Sequence, residues 1–162
     1  MVAFFEYEQE GPVGGTGGGP VPPWAMPVDG VITLVEVKYG LYLNQLVFHY
    51  TSSSNGDGAI TLGGYDPGPN HVQFSLAKEE VVHSLQGRYG SYVDSIQVIT
   101  STRTYPPAGS YGGAGGAAPY VFNVPKNGRL AGLFGRAGAW MDALGVVYVV
   151  PIRRPQPPPI HV

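Results

Sequence analysis

The sequence predicts an all-β fold, and three observations support this prediction. Among 162 residues, 25 are glycine and 16 are proline, so few windows are long enough for a helix without a breaker. Between them lie apolar and β-branched segments with an apolar residue at every second position, the period of a half-buried strand. These segments also distinguish the chain from a disordered glycine- and proline-rich sequence. The length is typical of one domain.

Three segments align without a gap and indicate an internal threefold repeat: residues 31–50, 81–100 and 129–148. In each segment a base precedes a glycine by two positions. An aromatic residue, an apolar residue and a carboxylate or amide follow, and alternating apolar residues come next. Each unit therefore predicts a strand, a glycine-centred turn and a second strand. The columns of bases, glycines, aromatic residues and carboxylates or amides are Lys38, Arg88 and Arg136; Gly40, Gly90 and Gly138; Tyr42, Tyr92 and Trp140; Asn44, Asp94 and Asp142.

Glycine-rich loops accompany these turns in a pattern that predicts a closed architecture. One loop follows the first turn at 63–64, and another follows the second turn at 112–116. The third turn, at Gly138, has no such loop after it, but a matching loop lies near the amino terminus at 14–19. We expect the amino-terminal strand to complete the third unit.

A glycine-rich loop beside a Gly-x-x-x-Asp turn suggests a site for sugar hydroxyls. Loop glycines expose backbone N–H groups to a ligand, and an aspartate accepts hydrogen bonds through two oxygens. Vicinal hydroxyls both donate and accept, whereas a phosphate would be repelled by Asp94 or Asp142. The alternative interpretation is an ordinary tight turn with an Asx-type cap.

Composition and motifs argue against other functions. A net charge of −2 is not that of a nucleic-acid-binding domain, and the absence of cysteine excludes thiol chemistry, iron–sulfur clusters and Cys-type zinc. There is no phosphate-binding loop, nucleophile elbow or HExxH motif, and the histidines at 49, 71, 83 and 161 lack ligand spacing. The adjacent Glu79 and Glu80 are expected to mark a solvated bend. We therefore predict no enzyme activity, no metal and no cofactor.

The ends of the chain give expectations about domain bounds and location. No run of about 18 apolar residues predicts a membrane span, and no signal peptide is recognisable. A cytoplasmic protein or a processed or excised domain is therefore expected. The domain is predicted at 1–150 and a proline-rich extended tail at 151–162. The tail and the strand at Phe4-Phe5 are candidates for a dimer contact.

The segments GPVGGTGGGP near the start and GLFGRAGAWMDALGVVYV near the end resemble the jacalin-related lectins. The resemblance covers about residues 10–150. It implies a β-prism I fold, with three four-stranded sheets around a pseudo-threefold axis, in agreement with the repeat. It also implies binding of monosaccharide units of glycans without catalysis and usually without metal.

The resemblance places a first sugar site at the amino-terminal loop and the third turn. Backbone N–H groups of Ala139 and Trp140 would donate to sugar oxygens, and the Asp142 carboxylate would accept from two hydroxyls. The chain continues through Gly18 without the cleavage of galactose-preferring members, so mannose or glucose is favoured. Many mannose-binding members have Asp at the position of Ala139, so one side-chain contact is missing. The residues of this site are Gly18, Gly138, Ala139, Trp140 and Asp142.

The internal repeat extends this assignment to the other two units. A second sugar site is predicted from the second loop and turn, with residues Gly116, Gly90, Ser91, Tyr92 and Asp94. A third is expected to be degenerate, because its turn has an amide and its loop lacks a second glycine pair. Its residues are Gly64, Gly40, Leu41, Tyr42 and Asn44. The alternative function is a β-prism that serves protein interaction, or targets a larger toxin or enzyme, without binding sugar.

Overall fold

The computed structural model describes residues 4–152, which form strands and no helix. Every strand pairing is antiparallel, and the strands form three sheets. The strands are β1 Phe5–Gly14, β2 Gly19–Ala25, β3 Val31–Tyr39, β4 Leu43–Thr51, β5 Gly58–Gly63, β6 Asn70–Ser75, β7 Val82–Tyr89, β8 Ser95–Thr100, β9 Thr104–Tyr105, β10 Tyr111–Gly112, β11 Ala118–Asn123, β12 Arg129–Ala137 and β13 Met141–Pro151.

Each predicted repeat unit supplies the two central strands of one sheet. The strand orders are β5-β4-β3-β6, β10-β8-β7-β11 and β1-β13-β12-β2. In the second sheet the outer position is split, because both β9 and β10 pair with β8. The all-β prediction with three sheets is confirmed, and the second sheet differs only in this interrupted edge.

The amino-terminal segment closes the third sheet, as the placement of the loops predicts. Strand β1 pairs with β13, and β2 pairs with β12. Gly14 lies opposite Ala143, and Gly19 lies opposite Ala137. The loop between β1 and β2 is therefore held at the same end of the sheet as the turn between β12 and β13.

The alternating apolar residues of the repeat form the core between the sheets. All six of them are at most 1% exposed, and burial of each such side chain contributes about 1.5–3 kcal/mol relative to an exposed position. They are Leu46, Phe48, Ile96, Val98, Leu144 and Val146.

Three further buried residues connect the units next to the turns. The N–H of Leu43 donates to the carbonyl oxygen of Val93, and the N–H of Val93 donates to that of Met141, each at 2.9 Å. These three residues occupy the same column of the repeat and are fully buried. The three turns are therefore fixed together around the pseudo-threefold axis.

The last strand extends further than the predicted domain boundary. Pro151, the first residue of the predicted tail, belongs to β13 and lies opposite Phe5. The N–H of Ile152 donates to the carbonyl oxygen of Phe4 at 2.9 Å. The remainder of the predicted tail, 153–162, lies outside the described residues. Residues 4–152 include no helix with the length and hydropathy needed to cross a membrane.

Candidate functional site

The three repeated turns share one backbone conformation. In each turn the glycine N–H donates to the carbonyl oxygen two residues later, at 2.9, 2.9 and 3.0 Å for the turns that begin at Gly40, Gly90 and Gly138. Two residues further along, a carboxylate or amide follows the aromatic and apolar positions. The three turns each connect the two central strands of one sheet, and they lie at the same end of the fold.

The aromatic residues of the turns form one cluster on the axis. Their ring centroids are 4.7 Å apart for Tyr42 and Tyr92, 5.5 Å for Tyr42 and Trp140, and 5.1 Å for Tyr92 and Trp140. Tilted and edge-on pairs at these separations stabilise by about 0.5–1.5 kcal/mol beyond area burial. The aromatic column of the repeat therefore holds the turns together as well as lying near the predicted sites.

The amino-terminal loop lies directly on the third turn and forms the predicted first site. The N–H of Gly15 donates to the carbonyl oxygen of Asp142 at 2.8 Å. Gly18 has a φ of +61°, and a Cβ there would lie 2.6 Å from Oδ1 of Asp142. A Cβ on Gly138 would in turn lie 3.4 Å from the Cα of Gly18. Only glycine at position 18 allows this backbone conformation and this close approach.

Polar groups of the first site are left without protein partners. Asp142 is 5% exposed, yet no residue within 4–152 donates a hydrogen bond to its carboxylate. The N–H groups of Gly18, Ala139 and Trp140 likewise reach no acceptor in that range. The oxygens of this carboxylate are within reach of solvent, because no buried side-chain oxygen in residues 4–152 lacks a hydrogen-bond partner. The site therefore combines an ionic acceptor and several donors that a polyhydroxylated ligand can satisfy.

Arg136 fixes the loop of the first site, and sequence reasoning gave this residue no role. Its Nε donates to the carbonyl oxygen of Gly17 and its Nη2 to that of Gly18, both at 2.9 Å. Arg88 does the same in the second unit, through Nε to the carbonyl oxygen of Gly116 at 3.2 Å. The column of bases in the repeat was the available signal for this function.

A cavity of about 330 Å³ lies between the amino-terminal loop and the turn of the second unit, and Asp142 is the one predicted residue of the first site that lines it. The turn of the second unit packs against the amino-terminal loop, since a Cβ on Gly15 would lie 2.1 Å from the carbonyl oxygen of Ser91. Each loop thus contacts two turns, one from its own sheet and one from the next. The cavity is lined by Gly15, Thr16, Gly17, Gly90, Ser91, Tyr92 and Asp142.

The second predicted site repeats the geometry of the first. The N–H of Gly113 donates to the carbonyl oxygen of Asp94 at 3.0 Å. Gly116 has a φ of +100°, and a Cβ there would lie 3.1 Å from Oδ1 of Asp94. No described residue donates to the Asp94 carboxylate. Burial raises the pKa of this carboxyl, and the nearby charge of Arg88 partly opposes the increase.

The third site is closed by its own loop, and Gly64 does not occupy the position in this loop that was predicted for it. The N–H of Gly64 donates to the carbonyl oxygen of Asn44 at 2.7 Å, so Gly64 corresponds to Gly15 and not to Gly18. The counterpart of Gly18 is Gly68, where a Cβ would lie 2.5 Å from Oδ1 of Asn44. This loop has one residue more between the two positions, which the alignment of the first glycines did not reveal.

Of the remaining residues of the third site, Asn44 and Gly40 are covered by the loop, and Leu41 is exposed. The side chain of Asn44 donates from Nδ2 to the carbonyl oxygen of Asp66 at 3.0 Å. A Cβ on Gly40 would lie 2.9 Å from Cδ of Pro69. Leu41 is 79% exposed, while Tyr42 belongs to the aromatic cluster. Residues 66–69 thus occupy the space beside Asn44 and Gly40, and the degeneracy of this site stays a prediction.

Other candidate residues do not form a metal or acid–base site in the described chain. His49 and His71 contact Glu36 through Nε2, at 2.5 and 2.8 Å, and the hydrogen bond from His49 lowers the pKa of Glu36 most strongly. Residues 4–152 contain no group of three His, Cys, Asp or Glu residues suited to a metal ion.

The expected solvated bend at Glu79 and Glu80 is correct only for the first of the two. Glu79 is exposed with a φ of 70°. Glu80 is 3% exposed and accepts hydrogen bonds from the N–H of Ala77 at 2.8 Å and from Oγ1 of Thr100 at 2.5 Å. It is therefore a buried cap of the turn.

Comparison with known proteins finds similar lectins. The mannose/glucose-specific lectin of Parkia pendula is 32% identical over 142 residues, which are 84% of this chain and 30% of that protein. Horcolin of Hordeum vulgare is 30% identical over 149 residues, 87% of this chain and 95% of its own. The structure of wild-type Malaysian banana lectin is 26% identical, with a TM-score of 0.72, and 91% of this chain and 100% of that chain are covered. The chain thus spans about 30% of the length of the Parkia lectin.

The family model of the jacalin-like lectin domain matches residues 10–147. The matched family and two of the three proteins above are described as lectins, which are carbohydrate-binding proteins and not enzymes. The likeness to banana lectin confirms the β-prism I fold predicted from the resemblance. The chain belongs to the jacalin-like lectin domain family.

Proposed function

We propose that this chain is a lectin that binds mannose- and glucose-type units of glycans at two sites. The first is formed by Gly18, Gly138, Ala139, Trp140 and Asp142. The second is formed by Gly116, Gly90, Ser91, Tyr92 and Asp94. The mannose/glucose specificity named for the Parkia lectin supports the choice of sugar.

One observation carries the proposal. Asp94 and Asp142 are each 5% exposed as whole residues, no described residue donates a hydrogen bond to either carboxylate, and the carboxylate oxygens are within reach of solvent. Leaving a carboxylate in this state costs free energy unless a ligand or water donates to it. A pair of sugar hydroxyls supplies two donors to one carboxylate, and the neighbouring backbone N–H groups donate to other sugar oxygens.

The arrangement of the loop is compatible with binding by an uncleaved chain. The loop passes through Gly18 as a continuous backbone, and Arg136 fixes it by donating to the carbonyl oxygens of Gly17 and Gly18. The cavity of about 330 Å³ lies at the lower end of the range for small-molecule sites, which is about 300–1,000 Å³. Its volume admits one monosaccharide unit, and its lining joins Asp142 of the first site to Gly90, Ser91 and Tyr92 of the second.

A panel of mannose, glucose and galactose in isothermal titration calorimetry, followed by a glycan array, tests the proposal. We expect saturable binding of mannose and glucose, weaker binding of galactose, and no change after treatment with EDTA. Absence of binding to mannose-, glucose- and galactose-terminated glycans at high protein concentration would overturn it. That result would favour a protein-interaction or targeting role for the same fold.

A further inference from the structure

The opposite end of the fold contains a second, larger cavity on the pseudo-threefold axis. Its volume is about 720 Å³, within the range of sites for small organic molecules. Three equivalent turns surround it, closed by N–H to carbonyl hydrogen bonds from Gly30 to Pro27 at 2.8 Å, from Glu80 to Ala77 at 3.0 Å and from Gly128 to Pro125 at 2.9 Å. This cavity is separate from the sugar sites.

The walls of this axial cavity repeat with the offsets of the sequence units, 50 and 48 residues. Two rings of three apolar side chains line it. The first ring consists of Ile32, Val82 and Leu130, which are 8%, 5% and 3% exposed. The second ring consists of Met26, Leu76 and Val124, which are buried or half-buried.

Exposed apolar residues at the rim extend this surface to solvent. Val31 is 47% exposed and Val81 is 39% exposed, and both line the cavity. The third equivalent position is Arg129, whose guanidinium donates to the carbonyl oxygens of Gly30 and Val28. Arg129 therefore forms a fixed wall, whereas the two valines remain available to an apolar ligand.

The rim also carries positive charge without a partner. Lys78 and Lys126 occupy the same position of two equivalent turns, and neither forms an ion pair with any residue in 4–152. The carboxylates on the lining are those of Glu79 and Glu80, and the latter already accepts three hydrogen bonds. Three cationic side chains thus face two carboxylates around an apolar interior.

We propose that this axial cavity binds a small apolar carboxylate, such as a short-chain fatty acid anion. The alkyl chain would lie between the two apolar rings, and the carboxylate would lie at the rim near Lys78 and Lys126. Burial of apolar surface supplies the affinity, and the two lysines favour an anion over a neutral molecule. The site is independent of the proposed sugar binding, because its residues belong to the other end of the sheets.

Calorimetry with octanoate and 1-octanol on the full chain tests this proposal. We expect saturable binding of one octanoate per chain and affinity for 1-octanol lower by about fivefold, as two exposed charge contacts of about 0.2–1 kcal/mol each imply. The double substitution Lys78→Glu and Lys126→Glu should weaken octanoate binding at least as much. Lys38→Glu, outside the cavity, should leave it unchanged.

A second pair of variants tests the apolar part without disturbing the core. Val81→Asp places a carboxylate at the rim and should abolish octanoate binding. Val121→Asp is the matched control, because Val121 is 49% exposed and does not line this cavity. Circular dichroism and mannose titration of the same variants should match the wild type and so report on folding.

Four outcomes would overturn the proposal. The first is absence of saturable octanoate binding by the wild type. The second is equal affinity of Val81→Asp and Val121→Asp for octanoate, and the third is equal affinity of the wild type for octanoate and 1-octanol. The fourth is a dimer in sedimentation that Val81→Asp dissociates while octanoate does not bind, since a second copy of the chain would then occupy the cavity.

Discussion

The side-chain amide of Asn44 donates a hydrogen bond to the carbonyl oxygen of Asp66 at 3.0 Å, at a position where the other two units present an aspartate. The carboxylates of those aspartates receive no hydrogen bond from any residue in 4–152. The contact between Asn44 and Asp66 therefore replaces, within the chain, the contacts that a ligand would make. One repeat position thus has a structural function in one unit and a candidate binding function in two.

We expect Asn44→Ala to leave sugar stoichiometry unchanged and to lower stability. The substitution removes the hydrogen bond to Asp66, so the free energy of unfolding should fall by about 1 kcal/mol. Asn44→Asp should not create a third site, because residues 66–69 still occupy the space and the new carboxylate would face a carbonyl oxygen. Calorimetry and urea denaturation measure both effects, and an additional bound sugar in Asn44→Asp would contradict this account.

Gly18→Ala should abolish the first sugar site and leave the second intact. A Cβ at this position would lie 2.6 Å from Oδ1 of Asp142, and a left-handed φ costs a non-glycine residue about 1–2 kcal/mol. Gly56→Ala is the matched control, because Gly56 has a φ of +76° but nothing within 4 Å of a Cβ. Both variants should lose stability through strain, and only Gly18→Ala should lose one sugar per chain in calorimetry. Equal stoichiometry would show that the loop does not form the site.

The affinity of the second site for mannose should fall on acidification, and the fall should occur at a higher pH than for a site with an ordinary aspartate. Burial raises the pKa of Asp94, so its carboxylate is protonated earlier as the pH falls, and a protonated carboxyl accepts fewer hydrogen bonds. Mannose titrations of Asp142→Ala, which retains only this site, should show the loss above the ordinary range of about pH 4. Affinity that stays constant down to that pH would contradict the prediction.

The same shift has the opposite sign for folding. Because the folded state binds this proton more tightly than the unfolded state does, the contribution of Asp94 to stability increases as the pH falls through the raised pKa. The difference in unfolding free energy between the wild type and Asp94→Asn isolates this contribution, since the amide does not titrate. If the wild type instead loses stability relative to Asp94→Asn as the pH falls, the pKa of Asp94 is not raised in the folded state.

The features of the fold and site that could be predicted from the sequence are those that recur with a fixed period. Alternating apolar residues and the Gly-x-x-x-Asp columns recur at fixed spacing, so the sheets, the closure by β1 and β2, and the positions of Asp94 and Asp142 were predictable. Loop register is not periodic: one extra residue places Gly68, and not Gly64, against Asn44. The column of bases indicates a shared role for Arg88 and Arg136, but which groups they contact depends on the directions of backbone carbonyl groups, which the column does not encode.

The number of sugars bound per chain is the most direct measure of whether the repeat is functional. We expect about two per chain for the wild type, because Asp94 and Asp142 have equivalent surroundings and lie on different sheets. Asp142→Ala and Asp94→Ala should each bind about one. Removal of either carboxylate eliminates charge-assisted hydrogen bonds of about 1.5–3 kcal/mol each, a loss of about tenfold or more at that site.

Independence of the two sites makes this prediction specific. The two aspartates have no shared hydrogen-bond partner among residues 4–152, so the effects of the two substitutions should be additive, and the double variant should bind no sugar. Weak single-site binding would then make crosslinking of glycans depend on both sites, so either single variant should lose agglutination while retaining monosaccharide binding. A wild-type stoichiometry of one, together with normal binding by Asp94→Ala, would show that the second site is only a structural remnant of the repeat.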